Sequence, residues 1–314
     1  MFDDVRRVAA TMGRCALAVT GCVPLLLALG SGASARPIQA SSMPSVDAAR
    51  TIVSGLWAQR ETALSRLDAA SIPPLEMASA RQQDVAYING VRCRCEQMKG
   101  DHPMTEVIPQ VPRASVQPVF FAQVHTTNVE SGTHPWYLVA VERDAGGTWK
   151  LAFIDLGGEQ SSPPLAALAR SAGTALSVTN QTRARMAQLT RNAVHHAMTH
   201  NKLVFATSYG ATIHRHAELR PDADGVFGFP LPSGDVLTCF TLHTIDVFSM
   251  PNGYLQQGPT QSEWGHNLAP GDYRSITYDT ASPRCVVGKG ADTAPGVLRF
   301  SYEDRIVGTK GVPA

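Results

Sequence analysis

The sequence is poor in charge of either sign: 27 lysines and arginines stand against 26 aspartates and glutamates, and charged residues make up only 17% of the chain. It has no run of lysine or arginine, so it lacks the electrostatic footprint that phosphate backbones demand. Nucleic acid and polybasic attachment to a membrane are therefore excluded as partners. The N-terminal apolar run, Cys15 to Leu29, is 15 residues long and interrupted by Thr20, Gly21 and Pro24. That falls short of the roughly 20 residues a bilayer-spanning helix needs, so no transmembrane domain is expected once this segment is removed. Nucleophile-elbow, P-loop, dinucleotide and H-E-x-x-H patterns are all missing. Asp222-Ala223-Asp224-Gly225 has the beginning of a calcium loop but lacks the later bidentate glutamate, and reads as a polar turn. No cofactor is expected.

What the N-terminus does have is a series: Arg6, Arg7 and Arg14, then the apolar run, then small residues ending in Ala33-Ser34-Ala35. A charged region, an apolar region and an A-x-A site in that order form a cleavable bacterial signal peptide over residues 1–35. The mature protein is thereby placed outside the cytoplasmic membrane, secreted or held in the cell envelope. Val19-Thr20-Gly21-Cys22 offers the alternative of lipid anchoring at Cys22, but Val23 to Leu29 continue the apolar run beyond that cysteine. The residues around Arg6-Arg7 do not otherwise fit a twin-arginine signal. Cleavage removes Arg6, Arg7, Arg14, Asp3 and Asp4, leaving 24 basic and 24 acidic residues and no net charge.

Four cysteines remain: Cys93, Cys95, Cys239 and Cys285. An even count in an exported chain points to disulfides. Cys239 and Cys285 both lie in strand-like segments and form the expected bridge. Cys93 and Cys95, with only Arg94 between them, would lie about 7 Å apart in a strand, too far for an unstrained bond.

Apolar residues from Ala49 to Leu67 recur at spacings of three and four, which predicts a helix with Ser45 as N-cap. A second helix is predicted over Leu75 to Ile88, ending at Asn89-Gly90. The period then changes to two, and Val119–Thr126, Trp136–Glu142 and Trp149–Leu156 read as strands. Residues 157–164, dense in turn formers, read as a linker. The second half repeats the order, with a short helix near Leu165 to Ala172, a longer one from Asn180 to His200, and then strands, among them Val236–Phe248, Ser275–Tyr278 and Arg284–Val287. The expected fold class is α+β: two tandem domains, 45–160 and 175–308, each with N-terminal helices packed on a curved antiparallel sheet.

The segments Leu56-Trp57-Ala58-Gln59-Arg60, Leu75-Glu76-Met77 and Asp84-Val85-Ala86-Tyr87-Ile88, with Asp235-Val236-Leu237-Thr238-Cys239-Phe240 in the second half, resemble an actinobacterial family of predicted secreted proteins or lipoproteins of unknown function. The likeness covers most of residues 45–306 and carries over no active-site residue. The helix-then-strands order also resembles the nuclear-transport-factor-like, or SnoaL-like, cone, which implies a pocket inside the first domain.

Asp84, Tyr87, His125 and Asp155 are the titratable residues placed to face such a pocket, where a buried carboxylate could act as a base. Seven of the ten histidines lie in the second half. His196 and His200 share a helix face, and His214 and His216 a strand face, an arrangement that could hold a transition metal. The expectation is nonetheless that no metal binds and that these are ordinary surface or hydrogen-bonded histidines. His243 is the single histidine considered as a lone general base. With no ordered catalytic constellation, the reading is a non-enzymatic extracytoplasmic protein that binds an unidentified envelope component or protein. A small-molecule enzyme or carrier with a SnoaL-like pocket is the alternative.

Overall fold

The computed structural model describes residues 43–94, 103–127, 133–158, 176–199, 205–206, 212–222, 225–250, 253–257, 268–269, 271–289, 296–298 and 305–314. The signal segment with Cys22, Cys95, most of the expected linker, the short helix near 165–172 and His200 lie outside the described residues. All described residues belong to one compact unit, Ala40–Ala314.

Helix α1 (Val46–Ser65) is capped by Ser45, whose hydroxyl accepts from the Ala48 N–H at 3.2 Å. Its buried residues Ala49, Val53, Trp57 and Leu64 follow the expected period. A short 3-10 turn (Ala69–Ser71), capped by Asp68, leads to α2 (Ala78–Arg94). This helix passes through Asn89-Gly90, where the sequence signals a stop, because Ile88 and Val91 are buried and hold the last turns in place.

Strands β1 (Met104–Gln110), β2 (Val119–Thr126), β3 (Trp136–Arg143) and β4 (Trp149–Gly158) form an antiparallel meander in chain order. Between β3 and β4 a tight turn forms at Asp144 to Gly147: the Gly147 N–H donates to the Asp144 carbonyl at 2.9 Å, and Gly147 adopts φ +86°. Beyond β4 the backbone is paired with Leu75–Met77, which bonds to Leu151 on both sides. At the other side β1 is an outer strand containing Pro109 and an exposed Glu106, and the Arg50 side chain reaches the Val107 carbonyl at 3.5 Å.

The second half opens with α3 (Asn180–Thr199), where Thr179 and Thr182 cap each other's N–H groups at 3.2 and 3.3 Å. Then follow β5 (Phe205–Ala206), β6 (Thr212–Pro221), β7 (Phe227–Pro230), β8 (Val236–Ser249), β9 (Leu255–Gln257), β10 (Gly271–Gly288), β11 (Gly296–Leu298) and β12 (Arg305–Pro313). They make a second antiparallel sheet in the order β11-β10-β8-β6-β5, with β12 and β9 also on β10 and β7 on β8. The two strands expected at Ser275–Tyr278 and Arg284–Val287 are one continuous strand, β10, running through Pro283. Proline fits there because β12 pairs with β10 only as far as Ala281 and β11 begins at Cys285, so among the described residues Pro283 is paired on the β8 side alone.

Alternation along the strands builds three core layers. In the first sheet Phe120, Ala122, Val139 and Val141 face α1, while Phe121, Trp136, Leu138 and Ala140 face the second sheet. There they meet Phe227, Phe229, Leu237, Cys239 and Cys285. The opposite face of the second sheet, with Val236, Phe240 and Val286, packs on Met186 and Leu189 of α3. The order is helix, sheet, sheet, helix. Each fully buried large side chain in these layers contributes roughly 1.5–3 kcal/mol. Helices and antiparallel sheets are present as expected. Two tandem domains are not confirmed: a single core layer draws residues from both halves.

Cys239 and Cys285 stand directly opposite each other in the β8–β10 register and are joined by a disulfide, with Cα atoms 4.1 Å apart. Cys93 lies on α2 rather than on a strand. Among the described residues no helix is long and apolar enough to cross a membrane.

Candidate functional site

The second sheet carries a polar row where three strands run side by side. Arg220 of β6 is directly opposite His243 of β8, and His243 is directly opposite Ala281 of β10. Asp279 lies two residues from Ala281 and so shares its face, diagonal to the histidine. The His243 Nδ1 lies 2.7 Å from Asp279 Oδ1, and Arg220 Nη2 lies 3.5 Å from Asp279 Oδ2. A carboxylate only accepts, so Nδ1 carries the proton in this contact and Nε2 is left for another partner.

This row borders a cleft of about 840 Å³. Its opposite wall is one face of α2, where Gln82, Val85, Ala86 and Asn89 recur at helical spacing beside Arg81. Ala69 and Pro73 also line it. Val307 also lines it, and the register explains how: β12 spends two residues, Ile306 to Gly308, where β10 spends one, Asp279 to Thr280. Val307 is the extra residue of a β-bulge, a device that re-aims a side chain. The cleft's size is that of a small-molecule site, and its lining mixes apolar side chains with a few convergent polar groups. No serine, threonine or cysteine lines it among the described residues.

The four residues expected at a first-domain pocket do not line this cleft. Asp84 is buried and accepts from Arg60 Nε at 2.6 Å and Nη2 at 2.9 Å. Arg60, itself 8% exposed, also donates to Glu61 at 2.9 Å, approaches Glu76 Oε1 at 3.3 Å and lies 4.7 Å from the Trp57 ring centroid. Burial alone would lower the Arg60 pKa, but Asp84, Glu76 and Glu61 outweigh it and raise it. Burial pushes the Glu76 carboxyl well above the usual carboxylate range, Asp84 pushes it further, and Arg60 opposes both. Tyr87 lies under the Arg305 guanidinium, 4.4 Å from its ring centroid. His125 on β2 is opposite Trp136, and Asp155 on β4 is opposite Leu138, so β3 separates the two. Both belong to the face that packs toward the second sheet, and Asp155 is buried.

No family model, curated protein or solved structure matches the chain. Of the cleft residues, the sequence marks His243 as a lone general base and Asp222 only as part of a polar turn. Asp279, Arg220 and Arg81 carry no such mark, although the spacing of Gln82 and Asn89, two turns apart on one helix face, is a signal in the sequence itself. His214 and His216 are both exposed on β6, and no group of three or more His, Cys, Asp or Glu among the described residues could hold a metal.

Proposed function

We propose that the chain is an extracytoplasmic binding protein of the bacterial cell envelope, exported through residues 1–35, and that the cleft between α2 and the Arg220–His243–Asp279 row is where it holds its ligand. The observation that carries this reading is the cleft itself, about 840 Å³ with charged groups on both walls. The Cys239–Cys285 disulfide supports the location, since such bonds persist in oxidising compartments. Likeness to the actinobacterial secreted family belongs to the same proposal and supplies no site residue.

Ala86→Trp fills the cleft from the helix side and tests the reading. Purified mature protein is heated with small-molecule fractions extracted from the envelope of its host. Stabilisation of the wild type by several degrees, lost in the variant, is the expected result. Equal shifts in both proteins, or none in the wild type, would remove the cleft from the account.

A small-molecule enzyme of the SnoaL-like kind is the second reading, favoured by one observation: Asp279 orients His243 as it would a general base. With no serine, threonine or cysteine lining the cleft among the described residues, its chemistry would be proton transfer rather than acyl transfer to a hydroxyl or thiol.

A further inference from the structure

The cleft's charges are mixed. Arg81 and Arg220 bring two guanidiniums, Asp222 and Asp279 bring two carboxylates, and the five-membered set is completed by His243. With a neutral imidazole the sum is zero. A doubly charged anion would meet both carboxylates, and a cation would meet both guanidiniums; either ligand leaves like charges facing each other across the cleft. A ligand that is itself balanced, with one group of each sign, satisfies both. Resting on the reading of the cleft as a binding site, we propose that it takes a zwitterion of the amino-acid class: a free amino acid or a short peptide with both termini unblocked.

The two walls divide the work. Arg81 stands on α2 and makes no ion pair with a carboxylate among the described residues, so its guanidinium is available to grip a ligand carboxylate in the two-pronged manner that arginine favours. Asp279 on the opposite wall is held by His243 and Arg220 and offers a fixed acceptor edge for an ammonium. Gln82 lines the cleft, and its Oε1 is buried and lacks a hydrogen-bond partner among the described residues. A rotation of that side chain lets a ligand N–H satisfy it, a group every peptide carries. Val85, Ala86 and the bulged Val307 then provide an apolar surface for the ligand's side chain. The volume exceeds that of one amino acid, which leaves room for a second residue.

Titration calorimetry on the mature protein decides the matter, using leucine and a set of apolar dipeptides, each in three forms: free, N-acetylated and C-terminally amidated. The free dipeptides are expected to bind, and each blocked form to bind at least tenfold more weakly. Arg81→Met, a change at an exposed helix position, should abolish the preference of free over amidated peptide while keeping that of free over acetylated. Acetylated peptide binding as well as or better than the free form would overturn the proposal in favour of an anion, and amidated peptide doing so would overturn it in favour of a cation. Failure of every compound also overturns it. In that event Ala86→Trp separates the two claims: if the variant still loses the stabilisation by envelope extract, the cleft binds something other than a zwitterion, and if it does not, both claims fall.

Discussion

Two arginine–carboxylate groups on this chain are built from the same residue types and do opposite things. Around Arg60, the carboxylates of Asp84, Glu76 and Glu61 gather on one guanidinium that is almost wholly buried between α1 and α2. Around Asp279, one carboxylate is shared by Arg220 and His243 at the margin of an open cleft, and the Arg220 side chain is 56% exposed. In the first group every charge is turned inward and the desolvation cost is offset only by the partners present, so the cluster fixes how the helices pack. In the second, Arg220 and Asp279 retain contact with solvent and with whatever enters, and only His243 is buried. Composition alone cannot separate the two; burial does.

The largest effect that would test this contrast is a matched pair of substitutions. Arg60→Met leaves Asp84 and Glu76 buried without their cation and should lower the unfolding free energy by about 3–5 kcal/mol. Arg220→Met removes an exposed partner and should change it by about 0.5 kcal/mol or less. Urea melts of the two variants measure both, and comparable losses would erase the distinction.

A smaller effect is expected from the disulfide of the second sheet. Cys239 and Cys285 are 46 residues apart in sequence and sit on the two strands that carry His243 and Asp279. Replacing both by alanine should cost about 2–4 kcal/mol, read from thermal or denaturant unfolding. Because one core layer joins the two sheets, the loss should appear as a single earlier transition of the whole unit. A separate early transition of the second half, with the first half unchanged, would show that the halves melt as independent domains.

A further effect concerns Glu76 and its dependence on pH. Its folded-state pKa lies above the ordinary value, so the folded chain holds a proton that the unfolded chain releases. Stability from this group is therefore fully present below the ordinary carboxylate range and declines as pH rises toward the raised folded value, by up to about 1.4 kcal/mol per pH unit. Glutamine does not titrate, so the advantage of Glu76→Gln over the wild type should grow between about pH 4 and pH 7. A difference that stays constant across that range would mean that Glu76 is ionised in the fold.

Much of the secondary structure could be read directly. The boundaries of β2 match the branched and aromatic run Val119–Thr126, and α1 and α3 follow their apolar spacing, because each signal is local. Strand β1 was missed since Pro109 interrupts an already short apolar pattern, and β12 since Gly308 and Gly311 dilute its own. The candidate site was less accessible for a different reason. His243 and Asp279 are 36 residues apart, and only the register of β8 against β10 sets them on one face. That register follows from the pairing of whole strands, which no short window contains. The surroundings of Asp84 are non-local in the same way: its helix position is compatible with a pocket, and its partner Arg60 stands 24 residues earlier on another helix.

The outer strand of the first sheet has a bearing on how copies of this chain treat one another. An unpaired strand edge is a template onto which another chain can add, and long flat edges seed aggregates. Here β1 presents Pro109, which has no N–H to offer, an exposed Glu106 whose charge repels its own image, and a Val107 carbonyl already approached by Arg50. The opposite side of the sheet is occupied by Leu75–Met77. Growth of the first sheet is thus hindered on both sides by residues of the chain itself, which disfavours edge-to-edge addition of one copy to another there.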